Sequence, residues 1–150
     1  MKSLIKRELI ECMTGSRLEN KTVHKTVKKW GSEHLITNSS KYCVKVMTLE
    51  PGTRCSLHFH RRKTETFVLI SGQLTLQTVM LQTGEYEITE LLHTGDSVTL
   101  ERETPHTFYC PEGQLGPTVF VEASTEDFID DSYRIIPSVG KNDDSGGSDS

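Results

Sequence analysis

Eight short runs of strand-forming residues follow one another in the middle of the chain, at 42–48, 56–60, 66–71, 74–79, 86–92, 97–100, 107–110 and 118–123. Turn-forming pairs punctuate them: Pro51-Gly52, Ser71-Gly72, Thr83-Gly84, Thr94-Gly95 and Glu112-Gly113. Many short strands separated by such pairs argue for an all-β sandwich or barrel. Closing the sheet into a barrel also protects its edges from stray pairing. At 150 residues the chain has the length of one ordinary domain with a real core.

The two ends read differently. Over residues 1–20, an N-terminal extension, Leu4, Ile5, Leu9, Ile10 and Met13 fall near a helical period, so a short helix or an added strand is expected. Residues 138–150 form an acidic tail whose last ten carry no apolar side chain, and disorder is expected there because nothing offsets the entropy of ordering. The domain proper is expected over residues 21–137.

A formal net charge of −4 gives no basic face for nucleic acid or an anionic membrane, which points to small-molecule partners. No run approaches the apolar length of a membrane span, and Met-Lys-Ser-Leu-Ile-Lys-Arg at the start lacks the apolar stretch of a signal peptide, so a cytoplasmic location is expected. Cys12, Cys43, Cys55 and Cys110 show no framework spacing and are expected to be reduced.

The densest chemistry lies between Gly52 and Gly72. His58 and His60 are two apart, so a strand turns both toward one face, where they can share a metal ion. Glu65 has the wrong parity for an unbroken strand, and a turn through residues 61–64 would let it face the same interior. His106, beyond Gly95, is a fourth candidate ligand. Three imidazoles and a carboxylate, with positions left open, suit a catalytic divalent transition metal (Mn, Fe, Co, Ni or Zn) better than a closed structural site.

Here the chain resembles the cupin superfamily. Gly52, His58, His60, Glu65 and Gly72 occupy every fixed position of that family's first motif, and Gly95 and His106 keep the spacing of the second. Glu101, Glu103 and Cys110 stand where the family commonly has Pro, Gly and Asn, a departure that bears on the turn rather than on the ligand. The resemblance implies a double-stranded β-helix, the cupin or jelly-roll barrel, with a metal on its inner wall and often a homodimer.

His-x-His-x-x-Lys-x-Glu, from His58 through Lys63 to Glu65, resembles the pattern of cupin sugar isomerases, in which the lysine belongs to the active site. Lys29-Trp30-Gly31-Ser32-Glu33, Ser56-Leu57-His58 and the stretch from Val121 to Arg134 resemble the cupin domain of bifunctional mannose-6-phosphate isomerases. After Arg134 the chain departs from that family and reads Ile135-Ile136-Pro137-Ser138. Trp30 is expected to be a lid over the apolar end of the barrel.

Glu122 shares strand parity with Thr118 and Phe120, and a carboxylate among apolar neighbours must be paired or useful. It is a candidate base, or a structural partner of Arg134 or Lys45. Lys63, its pKa lowered by a nearby cation, is the other candidate for moving a proton. Arg54 shares parity with Ser56, His58 and His60 and is expected to bind a substrate phosphate or hydroxyl, with Lys45 and Arg134 as further substrate-binding cations. The leading expectation is a metal-dependent aldose–ketose isomerase acting on a sugar or sugar phosphate. A mononuclear iron dioxygenase and a non-catalytic small-molecule-binding cupin are the alternatives, since one fold hosts many chemistries.

Overall fold

The computed structural model describes residues 24–141. The expected N-terminal extension and all but the first residues of the expected tail lie outside them. Among the described residues there are eleven strands and no helix: β1 His24–Lys28, β2 Gly31–Asn38, β3 Cys43–Leu49, β4 Leu57–Phe59, β5 Glu65–Ser71, β6 Leu74–Val79, β7 Tyr86–Leu91, β8 Ser97–Leu100, β9 His106–Tyr109, β10 Thr118–Ser124 and β11 Tyr133–Ile136. They form two antiparallel sheets, ordered β1-β2-β3-β10-β5-β8 and β11-β4-β9-β6-β7. All eight strands expected from the sequence are present within a residue or two of their anticipated ends; β1, β2 and β11 add to them.

Alternation along the strands sets the inner face. In β3, Cys43, Lys45, Met47 and Leu49 are buried; in β10, Thr118, Phe120 and Glu122; in β5, Glu65, Phe67 and Leu69. The register lays Phe120 between Met47 and Leu69, and places Glu122 opposite Lys45 on β3 and Phe67 on β5. One end of the interior is therefore apolar and the other charged.

The apolar end is built on aromatic edges. Phe67, Phe108 and Phe120 pack edge-to-face, with ring centroids 5.1 to 5.8 Å apart. Trp30 is itself buried in this core, edge-on to Phe108.

Two turns fix the approach of strands to the site. Gly72, between β5 and β6, has φ +81°, and a Cβ there would lie 3.0 Å from the Thr118 Cα, so glycine is required on both counts. Glu103, before β9, is the one described residue other than glycine with positive φ, at 64°. It occupies the position where the family commonly has glycine, so the turn shape is kept at the cost of backbone strain.

The pairing runs on past Pro137. Val139 exchanges two backbone hydrogen bonds with Arg54, each 3.0 Å, so the first residues assigned to the tail are tied to the barrel.

Glu103→Gly should relieve the left-handed strain, partly offset by a more flexible unfolded chain, for a net gain of roughly 0.5–1 kcal/mol. Thermal unfolding checks this, and a lower melting temperature would show that the glutamate side chain itself supports the turn.

Candidate metal centre

Strand pairing alone brings two of the candidate ligands together. β4 and β9 meet through one register pair, His58 opposite His106, and His60 follows at the end of β4. The three ring centroids are 4.6, 5.0 and 6.0 Å apart. One nitrogen from each ring falls in a cluster whose members all lie within 4.8 Å of one another.

The other nitrogen of each ring faces a backbone carbonyl: His58 Nδ1 to Ser56 O at 2.8 Å, His60 Nδ1 to Asp131 O at 2.6 Å and His106 Nδ1 to Thr104 O at 2.9 Å. A carbonyl oxygen only accepts, so each Nδ1 carries a proton, and in the neutral ring Nε2 is the nitrogen that offers a lone pair. This is the outer arrangement by which proteins orient histidines for a metal.

Burial pushes the His58 imidazole down to about 3, with His106 and His60 adding to the effect. Burial, then the Lys63 charge, also lowers His60. Both rings are therefore neutral near neutral pH, the form that ligates.

Glu65 stands at the same apex. Its Oε1 is 3.0 Å from His106 Nε2 and 3.8 Å from His60 Nε2. The approach to His106 lacks hydrogen-bond geometry, and His106 Nε2 is a buried atom without a hydrogen-bond partner. A ring nitrogen and a carboxylate oxygen at that distance need a cation between or beside them, either a proton or a metal ion. The residues thus fit a divalent ion: three oriented imidazoles, an orphaned donor and a carboxylate alongside.

Behind the ligands lies a buried charge network. Lys63 Nζ is 2.8 Å from Glu122 Oε1, 3.1 Å from Glu65 Oε2 and 3.2 Å from Asp127 Oδ1. Lys45 Nζ is 2.7 Å from Asp127 Oδ2 and 3.9 Å from Glu122 Oε1. Burial works against the Lys63 charge, but Glu122, Glu65 and Asp127 outweigh it and hold the ammonium well above its usual range. Without a metal ion, three carboxylates keep Lys63 protonated, and any lowering by a bound cation would work against them. Burial likewise opposes the Glu65 carboxylate, and His106, Lys63 and His60 overcome it and draw the group below the ordinary range.

These side chains line a cavity of about 720 Å³ with Trp30, Met47, Phe67 and Phe108 on its apolar side. Arg134, on β11 opposite His58 in register, lines its exposed lip. Lys45 lies on the wall but is taken up by Asp127. Glu122 pairs with Lys63 and, more distantly, Lys45, rather than with Arg134.

Arg54 does not line the cavity. It is exposed, its backbone bridges Tyr109 and Val139, and its guanidinium lies over the Tyr109 ring at 4.9 Å. The parity expectation fails because alternation breaks at Cys55, Ser56 and Leu57, all three of which are buried.

Two residues escaped the sequence reading. Asp127 joins both lysines, and Asp131 binds the turn after His60. They sit on the loop after β10, where no period marks direction; the only signal was a run of acids beside apolar residues, Glu126 to Asp131.

The described family model, Cupin domain, matches residues 45–122, more than half the chain, and the chain belongs to the cupin family. Among solved structures it is similar to the capsular polysaccharide assembling protein CapF from Staphylococcus aureus, with a TM-score of 0.65 and 20% identity over 77% of this chain and 34% of that one. It is also similar to the oxalate decarboxylase formate complex from Lactobacillus farciminis, with a TM-score of 0.63 and 22% identity over 75% of this chain and 34% of that one. The oxalate decarboxylase of Bacillus subtilis at pH 4.6 gives a TM-score of 0.64 and 19% identity over 75% of this chain and 30% of that one. The chain therefore spans about a third of the length of these structures, and the likeness is one of fold. No curated protein matches it. Among the described residues, no helix is long and apolar enough to cross a membrane.

Two outcomes are expected. His58→Ala combined with His60→Ala removes two of three imidazoles and should abolish retention of a divalent ion, read by elemental analysis; full metal content would refute the site. Second, the unfolded chain binds a proton at His58 near pH 6.5, while the folded chain does so only near 3. Stability of the metal-free protein should therefore fall as pH drops from about 6.5 to 4.5, above the carboxylate range, and His58→Ala should flatten that slope in thermal unfolding.

Proposed function

We propose that this cupin is a metal-dependent aldose–ketose isomerase acting on a sugar or sugar phosphate. The observation that carries the reading is a continuous line of buried contacts: His106 to Glu65 at 3.0 Å, Glu65 to Lys63 at 3.1 Å and Lys63 to Glu122 at 2.8 Å. It joins the histidine cluster to Glu122, a buried carboxylate that also lines the cavity.

A divalent ion held by His58, His60 and His106, with Glu65 as the proposed fourth ligand, would act as a Lewis acid on the carbonyl and adjacent hydroxyl of an open-chain sugar. Glu122 takes the proton from the carbon beside the carbonyl and returns it to the former carbonyl carbon, while the hydroxyl proton passes from one oxygen to the other. No atom is gained or lost. Both lysines approach Glu122 through Oε1, so Oε2 is the oxygen assigned to proton transfer.

Lys63 serves as a fixed positive charge that aims Glu122 and balances charge growing on the substrate, rather than as the base. Arg134, at the lip, is the proposed partner for a substrate phosphate, because a guanidinium matches phosphate oxygens in pairs. The mixed apolar and charged walls suit the two faces of a sugar.

The test is a screen of pentoses, hexoses and their phosphates with protein loaded in turn with Mn, Fe, Co, Ni or Zn. One aldose–ketose pair should interconvert, with solvent deuterium entering at the carbon beside the carbonyl. Glu122→Gln should lower turnover by roughly 10² to 10⁴, the usual worth of a general base, with metal content intact. Wild-type turnover in that variant would overturn the mechanism, and oxygen uptake without isomerisation would replace it with the oxygenase reading.

A further inference from the structure

Asp131 is 1% exposed and lies on the loop leading into β11, on the far side of the chain from the ligand motif in sequence. Its carbonyl accepts the Nδ1–H of His60 at 2.6 Å. Its carboxylate accepts the next two backbone N–H groups, Arg61 to Oδ1 and Arg62 to Oδ2, each at 3.0 Å. Its own N–H donates to Phe128 O at 3.0 Å. One buried residue thus holds both the ring of His60 and the turn that carries the chain from His60 to Lys63 and Glu65.

Neighbouring contacts tie the same loop to the same turn. Arg61 lies over the Tyr133 ring at 4.7 Å, Arg62 over Phe128 at 4.0 Å, and Arg62 also pairs with Asp130. Tyr133 stacks on Phe59, between the two histidines of the motif, at 5.0 Å. The loop supplies Phe128, Ile129 and Ser132 to the cavity wall, and β11 continues it with Arg134.

We propose that Asp131 is a positioning residue that sets His60 as a metal ligand, and that through it metal binding and closure of the cavity wall formed by residues 127–138 favour each other. The inference rests on reading the three histidines as metal ligands and does not depend on the isomerase reaction. The carboxylate pins Asp131 to the turn, the pinned carbonyl fixes the His60 ring and its tautomer, and Nε2 is left aimed at the cluster. Linkage makes the effect reciprocal: whatever His60 gains in the metal-bound state from a seated loop, the loop gains from a bound metal.

The experiment uses the full chain and Zn(II) as the probe ion. Asp131→Ala should weaken Zn(II) binding by about 10- to 100-fold, the usual effect of losing an outer partner of a ligand, and Asp131→Asn, which keeps one acceptor, should fall between. Leu74→Ala, in the core and outside the cavity lining, supplies a loss of stability without a change in ligand support. In hydrogen exchange, Zn(II) should protect amides of residues 128–139 in wild type and Leu74→Ala but not in Asp131→Ala. Nitrogen-15 spectra of the metal-free imidazoles should show His60 as the Nδ1–H tautomer in wild type and a mixture in Asp131→Ala. Wild-type Zn(II) affinity in Asp131→Ala, or an equal loss in Leu74→Ala, would overturn the proposal. If the wild type takes up no ion, the metal reading and its coupling to the loop both fail, and an unchanged His60 tautomer in Asp131→Ala would overturn the positioning role as well.

Discussion

The buried ammonium of Lys63 holds the charged end of the barrel together. Three carboxylates, Glu65, Glu122 and Asp127, lie within 3.2 Å of it, and Lys45 shares two of them. Removing such charges from water costs several kcal/mol each, so the group persists only as a connected whole. Two ammonium groups against three carboxylates leave one negative charge beside the histidine cluster. A divalent cation would reverse that sign and leave the site one charge short of balance, a deficit that an oxyanion developing on a substrate would fill.

Strand register decides where that cluster forms. Inward positions become polar toward the same end of each central strand: Met47 gives way to Lys45, Phe120 to Glu122, Phe67 to Glu65 and Phe108 to His106. On β10 and β3 the changes coincide, Glu122 opposite Lys45, while Glu65 on β5 lies one inward position further along, opposite Ser124, and the Lys63 ammonium bridges the two carboxylates. A slip of one residue would turn Glu122 outward and bring Val121 inward, removing the carboxylate from the network. Packing at the apolar end thus fixes the chemistry at the other.

Much of this was legible in the sequence because both the strand period and the ligand spacing are local. The eight strands, the inward parity of Glu122 and the gathering of the three histidines all follow from alternation and turns. What was not legible depends on contacts between distant segments. Arg54 misled because three consecutive buried residues break the alternation on which its placement relied. The partners of Lys63 were hidden because Asp127 and Glu122 lie some sixty residues away rather than in its own turn. Asp127 and Asp131 lie on a loop, where no period exists and only the folded chain reveals which acid faces inward.

The turn before His106 shows how the two motifs constrain each other. Glu103 adopts a left-handed backbone that a glycine would take without strain, and its N–H donates to the carbonyl of His60 at 2.6 Å. One residue further, the Thr104 carbonyl accepts the Nδ1–H of His106. The strained residue therefore links the backbone of one ligand to the segment that orients another. Strain of this kind survives only where surrounding bonds over-determine the conformation, and here those bonds belong to His60 and His106. The departure from glycine leaves the ligand geometry intact because that geometry is specified from both strands at once, by the pairing of His58 with His106 and by the Glu103 bond to His60, with the side chain at position 103 left exposed to solvent.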